Sequence, residues 1–149
     1  MCNVEILPFA PEHLNDVFML EQEIFPDEPW SLQSFQAEFS SPFSLDLAAV
    51  VDGRVAGYLM ASLVMESGHI NNLACAPAAR RTGIGSALLS AFLQKAQAAG
   101  VLEVTLEVRK GNRAAISLYE KYGFTPVATR PRFYKNPTED ALLMKKILP

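Results

Sequence analysis

The sequence predicts a mixed α/β (α+β) domain, a seven-stranded sheet flanked by about four helices, in one unit over residues 1–149. Three observations carry this. Stretches of alternating or continuous apolar residues take turns with stretches of 3.6-residue apolar spacing. Asp52-Gly53 joins two apolar runs, the strongest short-range hairpin signal. No repeat, low-complexity tract or Gly/Ser-rich linker divides the chain.

Val4 to Phe9 reads as a first strand. From Pro11, the residues Leu14, Val17, Phe18, Glu21 and Ile24 keep helical spacing until Pro26 and Pro29 break it. A second helix opens at Trp30-Ser31, with Ser31 as N-cap and Leu32, Phe35 and Phe39 on one face; Ser40-Ser41-Pro42 ends it. Leu45 to Val51 and Val55 to Met65 form a hairpin, and Ser67-Gly68 turns the chain into a fourth strand, His69 to Cys75. These three strands read as an antiparallel meander.

Ala76-Pro77 stops the meander, and a long helix runs from the Gly83–Gly85 loop to Ala99. Its stripe of Ser86, Ser90, Gln94 and Gln97 is polar, and Ile84, Leu88, Leu89, Phe92, Leu93 and Ala96 cover the rest. Gly100 suits the position after its end. A fifth strand, Val101 to Val108, alternates Val104, Leu106 and Val108 against Glu103, Thr105 and Glu107. Asn112 can cap a fourth helix, Arg113 to Tyr122, closed by Gly123. The last two strands fall near Pro126–Tyr134 and Asp140–Ile147.

Composition narrows the function. Half the residues are hydrophobic and 19% are charged, so the chain can bury a core. Thirteen Lys+Arg against sixteen Asp+Glu give a net charge of −3, which argues against a general nucleic-acid binder. Two cysteines, Cys2 and Cys75, make no disulfide framework and favour a reducing compartment. The first residues lack the basic flank of a signal peptide, and no apolar stretch is long enough to span a bilayer. The expectation is a cytoplasmic protein with no membrane partner. His13 and His69 form no metal-ligand pattern, so no metal is expected.

The segment Arg80-Arg81-Thr82-Gly83-Ile84-Gly85-Ser86 lies between a strand and a helix. Its glycines let the backbone bend and expose successive N–H groups, and the helix N-terminus and two arginines add positive charge. Together they suit a phosphate or pyrophosphate; an ordinary glycine loop before a helix is the plainer reading. The Walker pattern is absent, and the dinucleotide fingerprint fails at its third glycine, where Leu88 stands.

The form Arg-x-x-Gly-x-Gly, Arg80 to Gly85, after a strand ending Asn72-Leu73-Ala74-Cys75, resembles the acetyl-CoA-binding motif of the GNAT N-acetyltransferase superfamily. The element order along the whole chain is also similar. Leu106 to Arg109 followed by Asn112 to Phe124 resembles the bacterial ribosomal-protein-alanine N-acetyltransferases and relatives that acetylate protein N-termini. Phe25-Pro26, Pro29-Trp30-Ser31, Arg132-Phe133-Tyr134 and Glu139-Asp140-Ala141 match further. Asp27-Glu28-Pro29 interrupts the expected Phe-Pro-Trp-Ser.

The resemblance implies parallel fourth and fifth strands that splay apart to admit the pantetheine arm of acetyl-CoA. Backbone groups near Leu73, Ala74 and Cys75 would contact the arm and the acetyl carbonyl. The segment Arg80, Arg81, Thr82, Gly83, Ile84, Gly85 and Ser86 would hold the pyrophosphate, and the Asn112 amide would touch the cofactor. Glu107 is implied as general base, acting directly or through water. On pattern alone, Glu103, Thr105 and Glu107 are equally the polar face of a strand. Tyr119 is implied as the acid that protonates the departing thiolate; aromatic packing beside Ile116 and Tyr122 explains it as well. Cys75 has no evident base nearby and reads as a core residue. Trp30, Tyr134 and Glu139 would line the acceptor side, with Asp27, Glu28 and Asp140 offering negative charge to a basic peptide.

The implied function is acetyl transfer from acetyl-CoA to the N-terminal α-amine of a protein, alanine of a ribosomal protein. The alternatives are acetylation of another amine (a lysine side chain, a polyamine, an antibiotic) or a non-catalytic acyl-CoA-binding module.

Overall fold

The computed structural model describes residues 4–80 and 82–149. The sequence expectations that involve Cys2 and Arg81 lie outside the described residues. The elements are β1 (Val4–Pro8), α1 (Leu14–Ile24), α2 (Leu32–Ser40), β2 (Ser44–Val51), β3 (Arg54–Val64), β4 (Ser67–Cys75), α3 (Ile84–Ala98), β5 (Glu103–Arg109), α4 (Arg113–Lys121), β6 (Thr125–Tyr134) and β7 (Glu139–Ile147).

The strands form one seven-stranded sheet in the order β1-β2-β3-β4-β5-β7-β6. All pairings are antiparallel except β4 with β5, which is parallel. That crossover is made by α3, the long connection a parallel pair requires. Asp52 and Gly53 both take positive φ at the β2–β3 turn, the backbone a tight hairpin favours.

The continuous apolar runs of β2 and β3 follow from burial on both faces. Leu47, Ala49, Leu59 and Ala61 pack with Leu88, Leu89 and Phe92 of α3 and Tyr119 of α4. Ala48, Val50, Tyr58 and Met60 pack with Val17 of α1 and Phe35 of α2 on the other face. The sheet is therefore the middle of three layers, and about 25 cal/mol per Å² of apolar surface stabilises each interface.

Local signals fix the helix ends. Ser31 accepts a bond from the Ser34 N–H at 3.0 Å, and Asn112 accepts one from the Ala115 N–H at 3.2 Å. Gly83 precedes α3 at φ +85°, a left-handed conformation in which L side chains are strained. No helix among the described residues is long and apolar enough to cross a membrane.

Candidate active site

The parallel pairing of β4 and β5 covers only four residues a side, Ser67–Ile70 against Glu103–Leu106. Beyond Ile70, Asn71 is an extra residue opposite the Met60–Ala61 step of β3, a bulge that bends β4. From there β4 stays with β3 and β5 stays with β7, so the two strands part. The wedge opens between Asn72–Cys75 and Glu107–Arg109. Ala76 donates to the Ala56 carbonyl at 2.8 Å, so by ladder alternation Asn72 and Ala74 also turn to β3. Leu73 and Cys75 turn their N–H groups the other way, into the wedge.

A groove of about 670 Å³ runs over this wedge. Leu73, Glu107, Asn112, Tyr119, Tyr134 and Trp30 all line it. The glycine loop meets the same place from behind: a Cβ on Gly85 would lie 3.5 Å from Cys75 Sγ and 3.3 Å from Leu118. Nothing stands within 4 Å of a Cβ on Gly83, so that turn is open to a ligand. Thr82 hydroxyl bonds back to the Ala79 carbonyl, tying the loop down. Tyr122 hydroxyl donates to the Ser86 carbonyl at 3.3 Å, joining α4 to the start of α3.

Glu107 is the first residue of β5 past its last partner on β4. Its carboxylate is 16% exposed and held at both oxygens. His69 Nε2 lies 2.9 Å from Oε2, and Arg130 Nε lies 3.3 Å from Oε1. Glu103, on the same face of β5, pairs with Lys145 at 2.7 Å; that lysine holds its carboxyl below the usual range.

Tyr119 is buried and packs edge-on against Phe124 at 5.7 Å. Burial pushes its phenol pKa up, with Tyr134 and Cys75 adding to the rise, so it stays protonated and can donate. Burial also pushes the Cys75 thiol up, against a smaller opposing pull from Arg80. A thiol held neutral is a poor nucleophile, so Cys75 acts as packing. Tyr134 is pushed up to about 12, by burial first and then by the Glu107 charge.

The acceptor side carries a network that the sequence reading passed over. Arg109 stacks on the Tyr134 ring at 4.3 Å and reaches Glu28 at 2.9 Å and Glu139 at 3.4 Å. It also donates to the Pro137 carbonyl at 2.9 Å. Glu139 accepts from the Gly111 N–H at 2.7 Å, and Asp140 accepts from the Arg132 N–H at 2.9 Å. The acidic residues expected to face a basic peptide are thus partly spent at home: one guanidinium offsets one of the two glutamates.

Glu21 was also missed as a site residue, although its helical spacing was read. It is 1% exposed and accepts from the Trp30 N–H, the Tyr58 hydroxyl and the Asn72 amide, at 2.8, 2.6 and 2.9 Å. It anchors the α1–α2 loop, with Trp30, to the wedge. A carboxylate buried among three donors has no signature in a helical repeat, because its partners come from three other segments.

Residues 12–124 match the model of the Acetyltransferase (GNAT) family, and the chain belongs to that family. It is an acyltransferase of the N-acetyltransferase type. It is similar to the Salmonella typhimurium [ribosomal protein bS18]-alanine N-acetyltransferase, 33% identical over 118 residues, 78% of this chain and 79% of that protein. It is also similar to the Mycobacterium tuberculosis N-alpha-acetyltransferase RimI, 34% identical over 132 residues, 85% of this chain and 82% of that protein. The crystal structure of the Escherichia coli ribosomal-protein-S18-alanine N-acetyltransferase superposes with a TM-score of 0.90 at 28% identity, over 97% of this chain and 94% of that one. At the level of fold alone, Arabidopsis thaliana NAA60 solved in complex with acetyl-CoA matches with a TM-score of 0.88 at 22% identity, over 98% of this chain and 99% of that one.

Proposed function

We propose that this chain transfers an acetyl group from acetyl-CoA to the N-terminal α-amine of a protein, alanine of a bS18-type ribosomal protein. One observation carries the reading: a carboxylate, Glu107, at the mouth of the β4–β5 wedge, with a buried neutral phenol, Tyr119, on the same groove. The names of the relatives supply the acceptor.

The roles follow from the chemistry of thioester aminolysis. The amine must lose its proton before attack, and Glu107 is placed to take it, directly or through a water. The Leu73 and Cys75 N–H groups face the wedge, where an acetyl carbonyl would develop negative charge. The C–S bond then breaks, and the thiolate takes a proton from the Tyr119 hydroxyl. Thr82 to Ser86, with Arg80 beside them, would receive the pyrophosphate at the N-terminus of α3. Trp30 and Tyr134 border the acceptor groove.

The test compares an Ala-initiated peptide with basic following residues against its N-terminally blocked copy carrying free lysines. Acetylation of the first alone supports the reading. Equal or faster acetylation of the blocked copy makes the enzyme a lysine acetyltransferase instead. Slow hydrolysis with neither peptide acetylated moves the acceptor to small amines.

A further inference from the structure

His69 lies in the paired part of β4, one residue before the ladder with β5 ends, level with Thr105. Its ring spans two partners on that neighbouring strand: Nδ1 lies 2.7 Å from the Thr105 hydroxyl, and Nε2 lies 2.9 Å from Glu107 Oε2. We propose that His69 is the positioning residue of the base, an imidazole whose Nε2–H aims the Glu107 carboxylate at the acceptor amine. This rests on Glu107 being the base.

The chemistry of the contacts sets the tautomer. Nitrogen lone pair and carboxylate oxygen repel at 2.9 Å unless a proton lies between them, so Nε2 carries the hydrogen. Nδ1 then has a lone pair, and the Thr105 hydroxyl, free to rotate, donates to it. With Nε2–H on one oxygen and Arg130 Nε on the other, the carboxylate is fixed from β4 and from β6. Each oxygen keeps a further lone pair for the amine or a bridging water.

The arrangement differs from a surface pair. Glu107 lies just past the end of the parallel ladder, where β5 has no β4 backbone partner to hold its direction. A second groove of about 700 Å³ shares Trp30, Glu107 and Tyr134 with the first, and His69 lines it. The imidazole is a third exposed. The remaining charged and titratable groups are already engaged or more distant. Arg130 and Tyr134 come from β6, Glu38 faces the second groove from α2, and Glu103 is tied to Lys145 of β7.

The experiment uses H69L, H69Q, E107Q and H69L/E107Q, with kcat and KM measured at pH 8. H69L is expected to lose roughly 10- to 100-fold in kcat, with the acetyl-CoA KM unchanged, as for a misdirected catalytic group. H69Q, whose amide N–H can stand where Nε2–H stands, is expected to recover most of that loss at pH 8. In the E107Q background, H69L should cost nothing further. H69L within twofold of wild type, with E107Q impaired, overturns the role of His69 and leaves the base standing. Wild-type activity in E107Q overturns both. H69Q tenfold or more below wild type in kcat at pH 8 overturns the proposal even if H69L fails to fold.

Discussion

A glutamate in an alternating strand is ordinary until its neighbours are known. Glu103 and Glu107 share one face of β5, yet Glu103 meets Lys145 in solvent while Glu107 meets His69 and Arg130 at the wedge. Glu107→Gln keeps the volume and removes the base. The expected loss in kcat/KM is roughly 10²–10⁴-fold, with acetyl-CoA binding unchanged and the loss shrinking as pH rises and free amine accumulates. A normal kcat with weakened acceptor binding would instead make Glu107 an electrostatic contact. Tyr119→Phe removes one hydroxyl and keeps the ring against Phe124. Steady-state kinetics should show kcat lower by about 10²-fold, the small end of a proton donor's contribution, with little change in Tm. An unchanged kcat would return Tyr119 to packing.

At the scale of elements, two joints hold the site. The first is the contact of the glycine loop with the end of β4 and with α4. Gly85→Val would push on Leu118 and Cys75, already 3.3 and 3.5 Å from a Cβ there, and would move the loop. Isothermal titration should show acetyl-CoA affinity down by about tenfold or more, since the anion site depends on close backbone approach. The second joint is Arg109, which links the α1–α2 loop through Glu28 to the β6–β7 connection through Glu139 and Pro137. Glu28 belongs to the segment that interrupts Phe-Pro-Trp-Ser, and its carboxylate also accepts from the Lys135 N–H at 3.4 Å. Glu28→Ala should raise the acceptor-peptide KM severalfold and leave the acetyl-CoA KM alone. Its thermal cost should be under about 1 kcal/mol, as for other half-exposed ion pairs. Equal shifts in both KM values would argue against a joint confined to the acceptor side.

For the whole molecule, a pH effect sits under the sheet rather than in the groove. Asp46 is 8% exposed and accepts from the Ala61 N–H at 3.2 Å. Burial pushes its carboxyl up to about 7, and the charge of Glu38 adds to the rise. Burial raises Glu38 as well, and its Oε2 is buried without a donor; a proton shared with Asp46 supplies one. The folded state therefore binds a proton more tightly than the unfolded chain does. The pair's contribution to stability is fully present below the ordinary carboxylate range and is lost as pH rises from about 4 to 7. Asp46→Asn removes that titration. Its Tm should gain on the wild type between pH 5 and pH 8, by about 2–4 °C for each kcal/mol relieved. Parallel Tm curves across that range would show that the pair carries no such proton.

The sequence by itself determined the elements, their order and their chemistry at the ends. Apolar spacing, Asp52-Gly53, Ser31, Asn112 and Gly83 are local signals, and each acts within a few residues of itself. Resemblance in Arg80–Gly85 and Leu106–Phe124 pointed to the cofactor loop, to Glu107 and to Tyr119. Only the tertiary structure decided which residues meet. The Asn71 bulge ends the β4–β5 ladder at Ile70 and Leu106, and that single register puts His69 on Glu107 and leaves Leu73 and Cys75 facing the wedge. Arg109 with Glu28 and Glu21 with Tyr58 and Asn72 are contacts between residues 37 to 81 positions apart. A periodicity of 2 or 3.6 residues carries no information at that range, because strand register and loop closure are set by packing of the whole sheet.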